Sequence, residues 1–94
     1  MIFLGLDVGS TGCKCVAFLD NGEELASQYR EYPTASGQAD LDPNMLRSSV
    51  LEVIAGCVSK LNHPDEIVSI TVSSFGESFV SLNEKGEPAS NIIM

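Results

Sequence analysis

Apolar residues fall along this chain in short blocks separated by turn formers. Ile2 to Asp7 is nearly continuous aliphatic, the pattern of a central strand covered on both faces. Cys13 to Leu19 is a second apolar run of small, β-compatible residues, and Gly9-Ser10-Thr11-Gly12 between them supplies the turn of a hairpin. Asp20-Asn21-Gly22 is the strongest turn signal, because Asn and Gly tolerate the positive φ that a tight hairpin requires. A third antiparallel strand follows over Glu24 to Tyr32 and ends at Pro33. Leu25 and Tyr29 share one face of it and Glu24, Gln28 and Arg30 the other, as suits an edge strand with a wet side.

Thr34 to Leu41 is small and polar and reads as a loop. Asp42-Pro43 then predicts a helix start, with Asp capping free N–H groups and Pro at the first helical position. Leu46, Val50, Val53, Ile54, Cys57 and Leu61 form one stripe at the helical period, and Asn62-His63-Pro64 stops it. Ile67 to Ser73 is mostly β-branched and predicts a buried strand returning beside the first after a helical crossover. Phe79–Leu82, the turn Asn83-Glu84-Lys85-Gly86 and Ile92-Ile93-Met94 predict a second hairpin, its last run resembling a strand cut from a longer chain. The order β-β-β-α-β followed by a hairpin, with a glycine turn directly after an aspartate, is the partial α/β order of the ribonuclease-H-like, actin/hexokinase-type fold. Several unrelated activities share that fold.

Length and charge narrow the field. Ninety-four residues make one small domain, and 44% hydrophobic against 19% charged residues is too apolar for a disordered tail. A net charge of -8 repels phosphate polymers and anionic lipid, which disfavours nucleic acid and membrane surfaces as partners. The apolar opening has no basic lead-in and meets Asp7 at once, so it fits neither a signal peptide nor a membrane span, and a cytoplasmic location is expected. Three cysteines cannot all pair, which points to a reducing compartment. Cys13, Cys15 and Cys57 lack the spacing of a zinc set and read as small apolar packing.

Chemistry concentrates in Asp7-Val8-Gly9-Ser10-Thr11-Gly12-Cys13-Lys14. A carboxylate at a strand end can hold the hydration shell of Mg2+, and small residues let turn N–H groups and hydroxyls approach phosphate oxygens. Lys14 adds a positive charge on the next strand. The alternative is that Asp7 merely caps the turn and the glycines merely permit it.

The motif has company. Asp7-x-Gly9-Ser10-Thr11-x-x-Lys14 resembles the first phosphate motif of the FGGY-family carbohydrate kinases. Gly37-Gln38-Ala39-Asp40-Leu41-Asp42-Pro43 is similar to that family's entry to the first helix, and Ile67–Ser73 to the strand before its sugar-contacting turn. Asn83-x-x-Gly86-x-Pro88, followed by Asn91-Ile92-Ile93, resembles the segment leading to the next strand. The resemblance spans nearly the whole chain. It implies ATP and Mg2+ as cofactors, with Asp7 as the catalytic and metal-binding carboxylate and Gly9, Ser10, Thr11 and Lys14 on the nucleotide. Glu77, in Ser74-Phe75-Gly76-Glu77-Ser78, matches the glutamate of the glycerol-kinase turn and is the expected acceptor for hydroxyls of a sugar or polyol. Gly76 departs from that turn, the Met-His pair of xylulokinases is missing, and the chain has no Trp.

In the family the proton-accepting aspartate, the second phosphate motif and the adenine pocket lie further along. Residues 1–94 are therefore expected to be the N-terminal part of the first domain, without a second domain and inactive alone. Two other readings stand beside this one, an actin-like or chaperone-type ATPase and a non-catalytic interaction fragment. A ribonuclease-H-type nuclease, with Glu52 as its helix carboxylate, would want a further carboxylate where Ser73 and Ser74 stand. The edge strand and the terminal run both invite pairing between copies as a homodimer.

Overall fold

The computed structural model of the chain describes residues 1–33, 41–76, 78 and 80–92. Strands β1 (Ile2–Val8), β2 (Gly12–Leu19) and β3 (Glu24–Glu31) are followed by helix α1 (Pro43–Val58), a 3-10 turn (Pro64–Glu66) and strand β4 (Ile67–Ser74). They form one four-stranded sheet in the order β3-β2-β1-β4, with β1–β2 and β2–β3 antiparallel and β1–β4 parallel. The crossover through α1 that brings β4 beside β1 is thus the predicted one. Among the described residues no helix is long and apolar enough to cross a membrane.

The β2–β3 turn works as its residues require. Gly22 adopts φ 88°, its N–H donates to the Leu19 carbonyl at 2.9 Å, and the Asn21 side chain accepts from Glu23 N–H at 2.9 Å. Helix α1 starts where Asp42 accepts from Asn44 N–H at 2.9 Å, with Pro43 in the first turn. That entry is held by the C-terminal segment, since Ile92 N–H donates to the Leu41 carbonyl at 2.6 Å and both side chains are buried.

The core lies between α1 and one face of the sheet. Ile2, Leu4, Leu6 and Val8 of β1 and Cys13, Cys15 and Ala17 of β2 alternate onto that face, and Val53 and Cys57 of α1 close over them. Burial of each large aliphatic side chain contributes about 1.5–3 kcal/mol. Small residues bring the helix close: a Cβ at Gly56 would lie 2.9 Å from Gln28 Cγ. The cysteines are free and buried, and they pack as small apolar residues at this seam. Burial, reinforced by neighbouring Cys57, pushes the Cys15 thiol up to about 12.

Four expectations are corrected. β1 is fully covered on one face only: on the other, Phe3 and Gly5 are half-buried and Asp7 is exposed. On β3 the covered residue is Ala26, which pairs with Ala17, whereas Leu25 and Tyr29 are exposed at 41% and 57%. α1 requires a flat, small surface, and the Cys15–Gln28 and Ala17–Ala26 pairs provide it. β4 is not buried: it is one edge of the sheet, α1 lies over β2 and β3, and Val68, Ile70 and Val72 remain 45–58% exposed. Among the described residues the second hairpin is a short one about the turn at Asn83–Gly86, closed by the Leu82–Pro88 bridge with Asn83 N–H on the Glu87 carbonyl and Ala89 N–H on the Ser81 carbonyl, and Ile92 bridges to Leu41. Gly86 adopts φ 77° there, and Asn83 Oδ1 accepts from Lys85 and Glu87 N–H. The loop expectation at 34–40, together with Glu77, Phe79, Ile93 and Met94, lies outside the described residues.

Candidate functional site

The site begins at the end of β1. Asp7 points away from the core, opposite Lys14 of β2 on one side and Ser73 of β4 on the other, so the three form a polar row across the open face. Asp7 and Lys14 are both exposed. Lys14 enters no ion pair among the described residues, where the single ion pair is Arg30 to Glu52 at 2.8 Å. Glu52, the carboxylate that a nuclease reading would need, is thus engaged with β3.

Beyond Val8 the chain reverses over Ser10 and Thr11, both exposed, with Gly9 N–H donating to the Gly12 carbonyl at 2.9 Å. The flanking glycines are demanded by crowding. A Cβ on Gly9 would stand 2.9 Å from the Gly12 carbonyl oxygen, and one on Gly12 would stand 2.7 Å from the Arg30 carbonyl oxygen. The tip exposes the two hydroxyl-bearing residues, Ser10 and Thr11. Among the described residues no acceptor takes the N–H of Ser10 or Thr11.

Sequence reasoning missed the residue that holds this turn. Tyr32, just after β3 and buried at 4% exposure, donates its hydroxyl proton to the Gly9 carbonyl at 2.7 Å, and its N–H to the Thr11 carbonyl at 2.9 Å. Burial and the adjacent Cys13 thiol raise the Tyr32 phenol well above its usual range, so it stays a neutral donor at any physiological pH. Burial likewise raises Cys13. The one available signal was an aromatic residue ending an edge strand directly before a proline.

The parallel pairing of β1 and β4 brings a second loop to the same place. Val8 lies opposite Ser74, and Phe75 N–H donates to the Val8 carbonyl at 3.0 Å, so the turn after β4 leaves the sheet beside the Gly9–Gly12 turn. A cleft of about 220 Å³ opens there, lined by Val8, Leu46, Ser74, Phe75, Ser78 and Ile92 among others. Glu77 belongs to this loop by sequence, outside the described residues. Asp7, Gly9, Ser10, Thr11 and Lys14 are thus gathered at one end of the sheet, and the chain segment bearing Glu77 leaves from that same end. In α/β sheets ligands collect at the carboxyl ends of parallel strands.

Comparison with known proteins gives a consistent picture. Residues 2–94 match the model of the FGGY family of carbohydrate kinases, N-terminal domain. A glycerol kinase from Streptococcus uberis is 30% identical over 96 residues, covering 97% of this chain and 19% of that protein. The crystal structure of gluconate kinase from Lactobacillus acidophilus superposes with a TM-score of 0.86 at 34% identity, over 98% of this chain and 19% of that one. A xylulose kinase structure from Rhodospirillum rubrum shares the fold at 18% identity, with a TM-score of 0.86 over 98% of this chain and 20% of that one. The chain spans about a fifth of the length of the relatives it matches.

Proposed function

Because this chain belongs to the FGGY family of carbohydrate kinases, we propose that it forms the N-terminal part of the first domain of an ATP-dependent kinase, one that phosphorylates a hydroxyl of a sugar or polyol. The observation that carries this reading is the convergence of two loops at one sheet end. The Gly9–Gly12 turn offers donors for phosphate, and the loop after β4, anchored by Phe75 to Val8, offers the place for an acceptor. Transfer of a phosphoryl group needs just such adjacency, since positioning and charge neutralisation supply most of the catalysis.

The roles follow from the chemistry of each group. Ser10 and Thr11 hydroxyls and the turn N–H groups hold phosphate oxygens, while glycines at 9 and 12 keep the backbone within reach. Lys14 sets a positive charge beside the turn in a chain of net charge -8. Asp7 suits Mg2+: it is an exposed, hard oxygen donor two residues before the turn, and Mg2+ takes one or two carboxylates plus substrate phosphates rather than a closed protein cage. When bound, the ion neutralises charge developing on the phosphates. Glu77 is assigned to the acceptor's hydroxyls. The remainder of the site, including the proton acceptor, is assigned to the rest of the protein, and residues 1–94 alone are expected to transfer no phosphate. Self-association would use an outer edge of the sheet, β3 or β4, each unpaired on one side among the described residues.

The test is ADP release by the full-length protein over a panel of polyols, ketoses and sugar acids, including glycerol, xylulose and gluconate. Turnover should depend on one acceptor, and Asp7→Asn should lower kcat by about a hundredfold or more with the fold intact. Turnover without any acceptor would favour the ATPase reading, and an undiminished Asp7→Asn variant would show the turn to be structural.

A further inference from the structure

Tyr32 is linked to the turn in a way that core packing alone does not require. It stands outside the β1–β2 hairpin, yet two of its hydrogen bonds go to that hairpin's tip, from its hydroxyl to the Gly9 carbonyl and from its N–H to the Thr11 carbonyl. The peptide groups are trans, so a carbonyl and the N–H of the same planar unit point in opposite directions. Holding the Gly9 carbonyl toward Tyr32 therefore turns Ser10 N–H away from it, and holding the Thr11 carbonyl does the same for Gly12 N–H. The two anchors leave the tip little freedom to rotate a carbonyl outward, where it would repel an anion.

We propose that Tyr32 is a positioning residue for the nucleotide: its hydroxyl fixes the Gly9–Ser10 peptide so that the turn presents N–H groups, not carbonyls, to phosphate. This role rests on the nucleotide reading of the turn. It predicts that the hydroxyl matters more to nucleotide affinity than to stability or to the acceptor. Tyr32 touches neither substrate and takes no part in the chemical step.

Tyr32→Phe keeps the ring and deletes only the donor. In the full-length protein it should raise KM for the nucleotide by about fivefold to tenfold, the loss of one buried hydrogen bond, while KM for the acceptor stays within about twofold. Hydrogen exchange should become faster in the peptide spanning Gly9 to Gly12. Val53→Ala, which opens a hole in the core away from the turn, serves as the control for lost stability and should leave both KM values unchanged. Should Tyr32→Phe leave the nucleotide KM unchanged, or should both variants move both KM values together, Tyr32 is a core residue and the proposal fails. An active wild type with a silent Tyr32→Phe refutes only this role. A wild type without acceptor-dependent ADP release refutes the kinase reading, and this role with it.

Discussion

Two glycines on the same hairpin should respond in opposite directions to one methyl group. At Gly12 an added Cβ would meet the Arg30 carbonyl oxygen at 2.7 Å and Tyr29 Cζ at 2.8 Å, well inside the 3.4 Å at which ordinary contact begins. The Tyr29 ring is 57% exposed and can swing aside, but the Arg30 carbonyl belongs to the β2–β3 ladder, whose Cys13–Arg30 pairing fixes it. Relief requires β2 and β3 to part, and overpacking of this kind costs about 1–3 kcal/mol. At Gly5 the nearest atom to an added Cβ is Phe18 Cε2 at 3.6 Å, an ordinary contact. There alanine restricts the unfolded chain without straining the folded one, a gain of about 0.4–1 kcal/mol. Urea unfolding followed by far-UV circular dichroism should move the midpoint down for Gly12→Ala and slightly up for Gly5→Ala, with the slope unchanged. Equal midpoints for the two variants would mean that β3 does not press on the turn.

Asp42→Ala should destabilise α1 by about 1 kcal/mol through loss of the cap on Asn44 N–H, and Asp42→Asn should recover most of it; no change in midpoint would remove Asp42 from the cap. Cys15 makes stability fall with alkaline pH. Its thiol titrates near 9.0 when unfolded and at about 12 when folded, so its stabilising share is complete below pH 9 and is lost as pH rises from there toward 12. Cys15→Ala should flatten that fall, which a set of unfolding curves across the range would register.

Much of the architecture could be read from the residues because local chemistry dictated it. Asn21-Gly22 needs its turn, Asp42-Pro43 needs its helix, and a β-branched run after a helix needs a parallel place beside β1. The misreadings share a cause. Val68, Ile70 and Val72 look like core residues whether or not anything covers them, since a strand's composition reports its own preference and not the extent of its neighbours. On β3 the larger apolar residues, Leu25 and Tyr29, attracted the prediction, but α1 sought the smaller Ala26 across from Ala17. The C-terminal run offered Ile92 to any strand, and the carbonyl of Leu41 took it. The Asp7–Lys14 motif was legible since its spacing is local. The dependence of its turn on Tyr32 was not, because that contact spans 23 positions and is made to backbone, which carries no residue signature.

The bend between β1 and β2 is the proposed seat of a nucleotide's phosphates. A crystal structure of the full-length protein with Mg2+ and a non-hydrolysable ATP analogue tests it most directly. Phosphate oxygens are expected within hydrogen-bonding distance of Ser10, Thr11 and the Gly9–Gly12 backbone, with the metal on the side of Asp7. Phosphates seated elsewhere, with this turn facing only water, would contradict it.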